Sequence, residues 1–310
     1  MPSSVGLLRA ALAEQRALTE TIDHLGASLE ARLSRLGQQI SHALELLDDL
    51  ATTEAGAARR EEVAVYCLGT FRVAIGGVPL RAWRPGKARS LFQYLVNHRG
   101  HPTARPALIE ALWPDPDAAT TSSLKVAVHA LRQTLTRDGE RAPVTVEIDD
   151  AGYRLGATSL WLDVEEFERY CLAGHWLEAH GQDEDALAMF ARAADTYGGD
   201  FLDGAGEDWA LFRREGLKDQ YLLILARLAD AALGAEDYPA CIRRCQQLVA
   251  HDRCREETYR VLMLCHARLG QRGRVRRWYQ LCARALRAEL DVAPDPETDD
   301  LYRRAMRGHP

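Results

Sequence analysis

Residues 122–135 read SSLKVAVHALRQTL. Leu124, Val128, Leu131 and Leu135 recur at i, i+4, i+7 and i+11, so they share one face of a helix. The opposite face carries Lys125, His129 and Arg132, with Ser122, Val126 and Gln133 beside them. Such a face suits the major groove of DNA. Lys and Arg donate to guanine O6 and N7, His129 can donate to a base or a phosphate, and Val126 can meet a thymine methyl. The same periodicity also describes an ordinary solvated helix, and spacing alone leaves both readings open.

The flanking sequence supplies the rest of a small domain over residues 63–156. Residues 63–68 alternate with strand-forming residues, and Phe71, Val73 and Ile75 continue with period two. Gly76-Gly77 marks a turn, and Val78 and Leu80 follow, which predicts a small antiparallel sheet. After Pro85-Gly86, the residues Ala88, Leu91, Phe92, Leu95 and Val96 make one helical face, ended by Gly100. A second helix is expected from Thr103, read as its N-cap, with Pro106 in its first turn and Leu108, Ile109, Leu112 and Trp113 inward. Pro114 and Pro116 stop it, and Thr120 or Thr121 opens the third. Val144, Val146 and Ile148 then alternate, a turn follows at 149–152, and the chain returns through residues 153–155. Three helices and a hairpin are the layout of a winged helix-turn-helix.

The strings LGTFRVAIGGVPL at 68–80, KARSLFQYLVNHRGHPTARPALIEALWPD at 87–115, SSLKVAVHALRQTL at 122–135 and GYRL at 152–155 carry a resemblance. They are similar to the winged helix of the SARP (Streptomyces antibiotic regulatory protein) family, related to OmpR/PhoB-type domains. The pair Leu112-Trp113 and the pattern from Val126 to Arg132 are the most specific parts. The resemblance implies that the helix over residues 122–137 is the recognition helix and that the loop 114–121 contacts RNA polymerase. Backbone contacts are expected from Arg84, Lys87, Arg105 and Arg154. Two positions depart from the pattern. Ala130 stands where family members often carry Arg, and the wing carries Glu147, Asp149 and Asp150, which would repel phosphates.

Residues 157–310 show helical periods and no strand alternation. A lag of 34 residues aligns Tyr238 with Arg272, Cys241 with Val275, Leu228 with Leu262 and Leu248 with Cys282. That lag is the period of TPR helix–turn–helix repeats. An earlier hairpin falls near 167–180 and 185–197, with Ala186, Met189, Phe190 and Ala193 inward. The strings DVEEFERY, GDFLDGAGEDWALFRREGL, YLLILARLADAAL, DYPACIRRCQQLVAHDRCREETYRVLM and YQLCARALRAELDVAPDPETDDLYRRAM resemble the bacterial transcriptional activator domain of SARP-type regulators. In that family the domain serves dimerisation and contacts with polymerase or other domains. Arg272, Arg274, Arg276 and Arg277 form a basic cluster that reads as a solvated face or as an anion-binding surface.

Ahead of these domains, residues 18–47 repeat Leu or Ile at a mean step of about 3.6, the period of one helix stripe. This predicts a long amphipathic helix over 1–51, either a coiled coil or a helix docked on its own chain, and a linker over 52–62. The fold class is therefore mainly α: a long helix, a winged helix-turn-helix with a small sheet, and an all-α TPR-like array.

Charge is unevenly spread. Lys plus Arg against Asp plus Glu is 6 against 10 over residues 1–62, 12 against 8 over 63–156, and 21 against 27 over 157–310. The middle segment alone is net basic, which locates the expected phosphate-facing surface. The seven cysteines form no CxxC pair and read as buried, reduced, small apolar residues, so no metal site and no cofactor are expected. No P-loop, HExxH, GxSxG or Rossmann glycine motif occurs, and no catalytic residue is assigned. Neither a signal peptide nor an apolar run of membrane length is seen, which predicts a cytoplasmic protein without a membrane partner. The leading expectation is a dimeric, sequence-specific regulator, an activator, that binds double-stranded DNA and RNA polymerase. The rival is a protein-interaction adaptor whose winged helix no longer binds DNA.

Overall fold

The computed structural model describes residues 63–308 apart from 85, 114–119, 137–143, 158–159 and 205–207. The helix expected over 1–51, its coiled-coil reading, the linker 52–62 and most of the loop 114–121 lie outside these residues. The described chain begins with strands β1 (Val63–Tyr66), β2 (Arg72–Ile75) and β3 (Val78–Pro79). Helices α1 (Ala88–Asn97), α2 (Arg105–Leu112) and α3 (Thr120–Leu135) follow, then the hairpin β4 (Val144–Asp149) and β5 (Gly152–Ala157). A short strand, β6 (Leu160–Leu162), leads into helices α4 (Asp163–Ala179), α5 (Asp183–Thr196), α6 (Leu211–Gly234), α7 (Tyr238–His251), α8 (Glu256–Arg268), α9 (Arg272–Glu289) and α10 (Pro296–Arg307).

The winged-helix core forms where apolar residues were expected to point inward. Leu91, Phe92, Leu108, Leu112, Leu124 and Leu131 are all fully buried. Trp83 joins Phe71 and Phe92 in an aromatic cluster with centroids 5.6–6.3 Å apart, which anchors the segment before α1. One local expectation fails. Thr103 does not cap α2, whose N-cap is Ala104 with no side-chain hydrogen bond. Instead Thr103 is buried and exchanges both backbone hydrogen bonds with Tyr153 of the wing, at 2.8 and 2.9 Å.

β6 was not anticipated, because three residues are too few to show alternation. It pairs in parallel with β1, Val63 opposite Leu160 and Val65 opposite Leu162, and completes the order β3-β2-β1-β6. Parallel neighbours need a long crossover. Here the connection from β1 to β6 contains β2, β3, all three helices of the winged helix and the wing. The winged helix is thus threaded between two strands of one sheet, and α4 starts directly from the second of them.

That start is chemically fixed. Asp163, 3% exposed, turns its carboxylate back onto the end of β1. The Cys67 N–H donates to it at 2.7 and 2.9 Å, and the Leu68 N–H at 2.9 Å. Burial raises the Asp163 pKa, and the backbone N–H groups of Cys67, Leu68 and Val164 oppose that rise. Next to it, the Leu202 N–H donates to Cys67 O at 2.7 Å and the Gly69 N–H to Asp200 O at 3.0 Å. Gly69 has φ +93°, and a Cβ there would sit 3.1 Å from Gly198 O, so the two backbones approach closely only because no side chain intervenes. Arg99 of the winged helix donates to Leu160 O at 3.0 Å and pairs with Glu165 at 3.0 Å. Tyr94 stacks on His98 and meets Trp209 edge-on.

The helices pack as hairpins α4–α5, α6–α7 and α8–α9, with α10 closing against α8 and α9. α7 and α9 begin at Tyr238 and Arg272, 272 − 238 = 34 residues apart, as the lag requires. Cys241 and Leu248 of α7, and Val275 and Cys282 of α9, are buried at equivalent places. In the first hairpin Phe190 occupies the space over Gly174, where a Cβ would lie 2.4 Å from its ring. Six of the seven cysteines are buried and Cys254 is half-buried. Among the described residues, no helix is long and apolar enough to cross a membrane.

Removing the Asp163 carboxylate strands two buried donors, each costing about 1–3 kcal/mol. Asp163→Ala is expected to lower the free energy of urea unfolding by about 2–6 kcal/mol on that basis. An unfolding midpoint equal to wild type would show that the carboxylate is not the clamp.

Candidate nucleic-acid interface

α3 sorts its residues cleanly. Leu124, Ala127, Val128, Ala130, Leu131 and Leu135 are buried. Ser122, Lys125, Val126, His129, Arg132 and Gln133 are exposed, and Val126 keeps 67% of its surface. The six residues expected on the outward side of this helix therefore share one exposed face. Ala130 belongs to the buried side, so its lack of charge takes nothing from that face.

Arg132 is exposed yet engaged. Its Nη2 donates to Val146 O of β4 at 2.6 Å, which ties the last turn of α3 to the wing. Lys125 and His129 are left as the cationic and polar centre of the outward face. A guanidinium has five N–H donors, so one bond to the wing leaves Arg132 able to make others.

The wing answers the question raised by its acids. Glu147 and Arg154 lie opposite each other in the β4–β5 register, and Arg154 Nε donates to Glu147 at 2.8 Å. Asp149 stands 3.9 Å from the same guanidinium, and its Oδ1 also accepts the N–H groups of Ala151 and Gly152, at 2.9 and 3.1 Å. Two of the three acids are thus partly neutralised by Arg154 or used to shape the turn, and Asp150 remains exposed at the tip. Arg154 in turn is not an uncommitted cation.

The other expected contacts lie on separate elements. Arg84 is exposed before α1. Lys87 is the N-cap residue of α1 and is half-buried. Arg105 is exposed at the first position of α2. No local pattern in the sequence announces the Arg132–Val146 bond or the Asp163 clamp. Each joins residues whose neighbourhood arises only on folding.

Comparison with known proteins agrees with this architecture. A family model described as "Transcriptional regulatory protein, C terminal" matches residues 83–155, and one described as "Bacterial transcriptional activator domain" matches 162–305. The chain is 25% identical over 252 residues to the regulatory protein AfsR of Streptomyces coelicolor, covering 78% of this chain and 25% of that protein. It is 26% identical to the transcriptional regulatory protein MoaR1 of Mycobacterium tuberculosis, covering 84% and 83%. It is also 26% identical to the transcriptional regulatory protein EmbR of Mycobacterium tuberculosis, covering 83% and 66%. The chain therefore spans a quarter of AfsR and just under two thirds of EmbR. The solved structure of Mycobacterium tuberculosis EmbR shares the fold, with TM-score 0.62 at 24% identity over 81% of this chain and 66% of that one.

The wing's seating generates a sharp expectation. Gly152 has φ +137°, and a Cβ there would lie 2.2 Å from Thr103 O. Gly152→Ala must break the Thr103–Tyr153 pairing. Hydrogen exchange of the Thr103 and Tyr153 amides is expected to accelerate at least tenfold, with the amides of α7 and α8 unchanged. Unaltered exchange at Tyr153 would contradict this account of the wing.

Proposed function

Because the chain belongs to the SARP-type bacterial transcriptional regulators, joining a winged helix to a bacterial transcriptional activator domain, we propose that it binds double-stranded DNA in a sequence-dependent way and activates transcription there. The observation that carries this reading is the outward face of α3, on which Lys125, Val126 and His129 stand exposed beside Ser122. The three offer donors for base edges and an apolar contact for a thymine methyl. Arg132 reaches the duplex from the junction of helix and wing. Arg84, Lys87 and Arg105 meet phosphates. Arg154 contributes after yielding part of its charge to Glu147. The chain acts as a dimer on repeated sites in the cytoplasm, and RNA polymerase is met through the loop 114–121 and the helical array. It works by binding and performs no chemistry on a substrate.

The adaptor reading retains one observation in its favour. Both Arg132 and Arg154 spend hydrogen bonds inside the domain, which lowers the attraction for phosphates. Anisotropy titrations at two salt concentrations, with fragments selected from the source genome, separate the readings. Wild type is expected to prefer a selected fragment over random duplex, with affinity falling steeply as salt rises. Lys125→Ala with His129→Ala is expected to cut that preference at least tenfold. A wild-type protein that binds no fragment at low salt makes it an adaptor.

Glu147→Gln is expected to strengthen binding to any duplex and to steepen the salt dependence by about one phosphate equivalent. It removes an acid from the wing and releases Arg154. A weaker affinity in that variant would mean that the ion pair positions the wing.

A further inference from the structure

α9 is the most cationic helix among the described residues. Its 18 residues hold six arginines and a single acid, Glu289 at its last position, inside a region of net negative charge. Val275, Cys282 and Leu286 are buried and fix which side faces the array. At 100° per residue the opposite side presents Arg276, Arg277, Arg284 and Arg287 around Gln280, and all five are exposed. Arg277 and Arg284 are two turns apart, about 10 Å along a helix about 27 Å long. Arg287 pairs with Asp291 at 3.2 Å, both well exposed. Arg276, Arg277 and Arg284 have no ion pair among the described residues. Arginines three residues apart, as at 274 and 277 or 284 and 287, repel each other on a helix surface. The fold tolerates an unfavourable charge arrangement that an anionic partner would relieve.

We infer that this face of α9 docks an acidic segment of a partner protein that also carries apolar side chains. Two observations favour a protein over DNA. Just past the last turn of α9, Leu290 and Val292 are 56% and 46% exposed. Apolar groups there have no use against phosphates but suit an aliphatic side chain of a peptide. The region that holds α9 carries 27 Asp plus Glu against 21 Lys plus Arg over residues 157–310. A broad duplex laid on α9 would meet more of that acidic surface than a narrow peptide that follows the arginines. Arg is also the residue whose planar fork grips a carboxylate with two parallel hydrogen bonds. This surface lies on the third helical hairpin and does not depend on whether α3 binds DNA.

The test uses the full chain and a fluorescein-labelled 18-residue peptide of repeating Glu-Glu-Leu, followed by anisotropy at two salt concentrations. Wild type is expected to bind, more weakly at higher salt. Arg277→Glu with Arg284→Glu is expected to lose at least tenfold in affinity and most of the salt dependence. Leu290→Ser with Val292→Ser is expected to lose at least threefold while keeping the salt dependence. Lys125→Ala with His129→Ala is expected to bind the peptide as wild type does. Thermal melts establish that each variant is folded, and Arg277→Gln with Arg284→Gln replaces the charge reversal if that variant melts early. Equal peptide affinity in wild type and the arginine variant would overturn the inference. So would a random-sequence 20-base-pair duplex that displaces the peptide and is itself weakened by the arginine change, because the face would then belong to nucleic acid.

Discussion

The carboxylate of Asp163 holds two architectures together. It ends one strand of a sheet, starts the first helix of the array, and accepts the two N–H groups that β1 leaves unpaired as it ends. A charged acceptor satisfies buried backbone donors more strongly than a neutral one. Because the winged helix lies between β1 and β6 in sequence, closing that sheet also fixes where the winged helix attaches. The loop at Gly198–Asp203, the Arg99–Glu165 pair and the Tyr94–Trp209 contact reinforce the same seam. The helical array therefore begins in the same sheet that supports α1.

Within the winged helix, a second set of contacts trades charge for order. Arg132 bonds the wing's backbone, Arg154 bonds the wing's acids, and Asp149 closes the wing's turn. Such bonds hold the hairpin at a set angle to α3 and reduce the rotamer freedom that would otherwise be lost on contact with a ligand. They also reduce the net positive field of the domain. Under the proposed function, a regulator built this way would gain selectivity more than affinity, since phosphate attraction is sequence-independent and base contacts are not.

Much of this architecture is legible in the sequence. The apolar stripe of α3 predicted the burial of Leu124, Val128, Leu131 and Leu135, and the 34-residue lag matches the spacing between the starts of α7 and α9. Those features depend on local periodicity, which a sequence displays directly. What stayed hidden depends on residues distant in the chain. β6 is too short to alternate visibly, and its partner lies 97 residues earlier, at Val63 opposite Leu160. Thr103 looked like a helix cap because Thr often is one, but the approach of Tyr153 gave its backbone a different use. Ala130 looked like a lost groove contact until burial placed it on the other side of the helix. At the candidate interface, sequence identified the exposed face of α3 but could not show that Arg132 and Arg154 already have partners.

The proposed recognition of DNA depends on the outward face of α3 meeting base edges. A photoreactive benzoylphenylalanine placed at Val126, and separately at the exposed Leu172 of α4 as a reference, tests it directly on a duplex selected from the source genome. Crosslinks from position 126 to bases at one defined place in the site, with none from position 172, are the expected result. Equal crosslinking from both positions, or none from 126 on a duplex that the protein demonstrably binds, would contradict it.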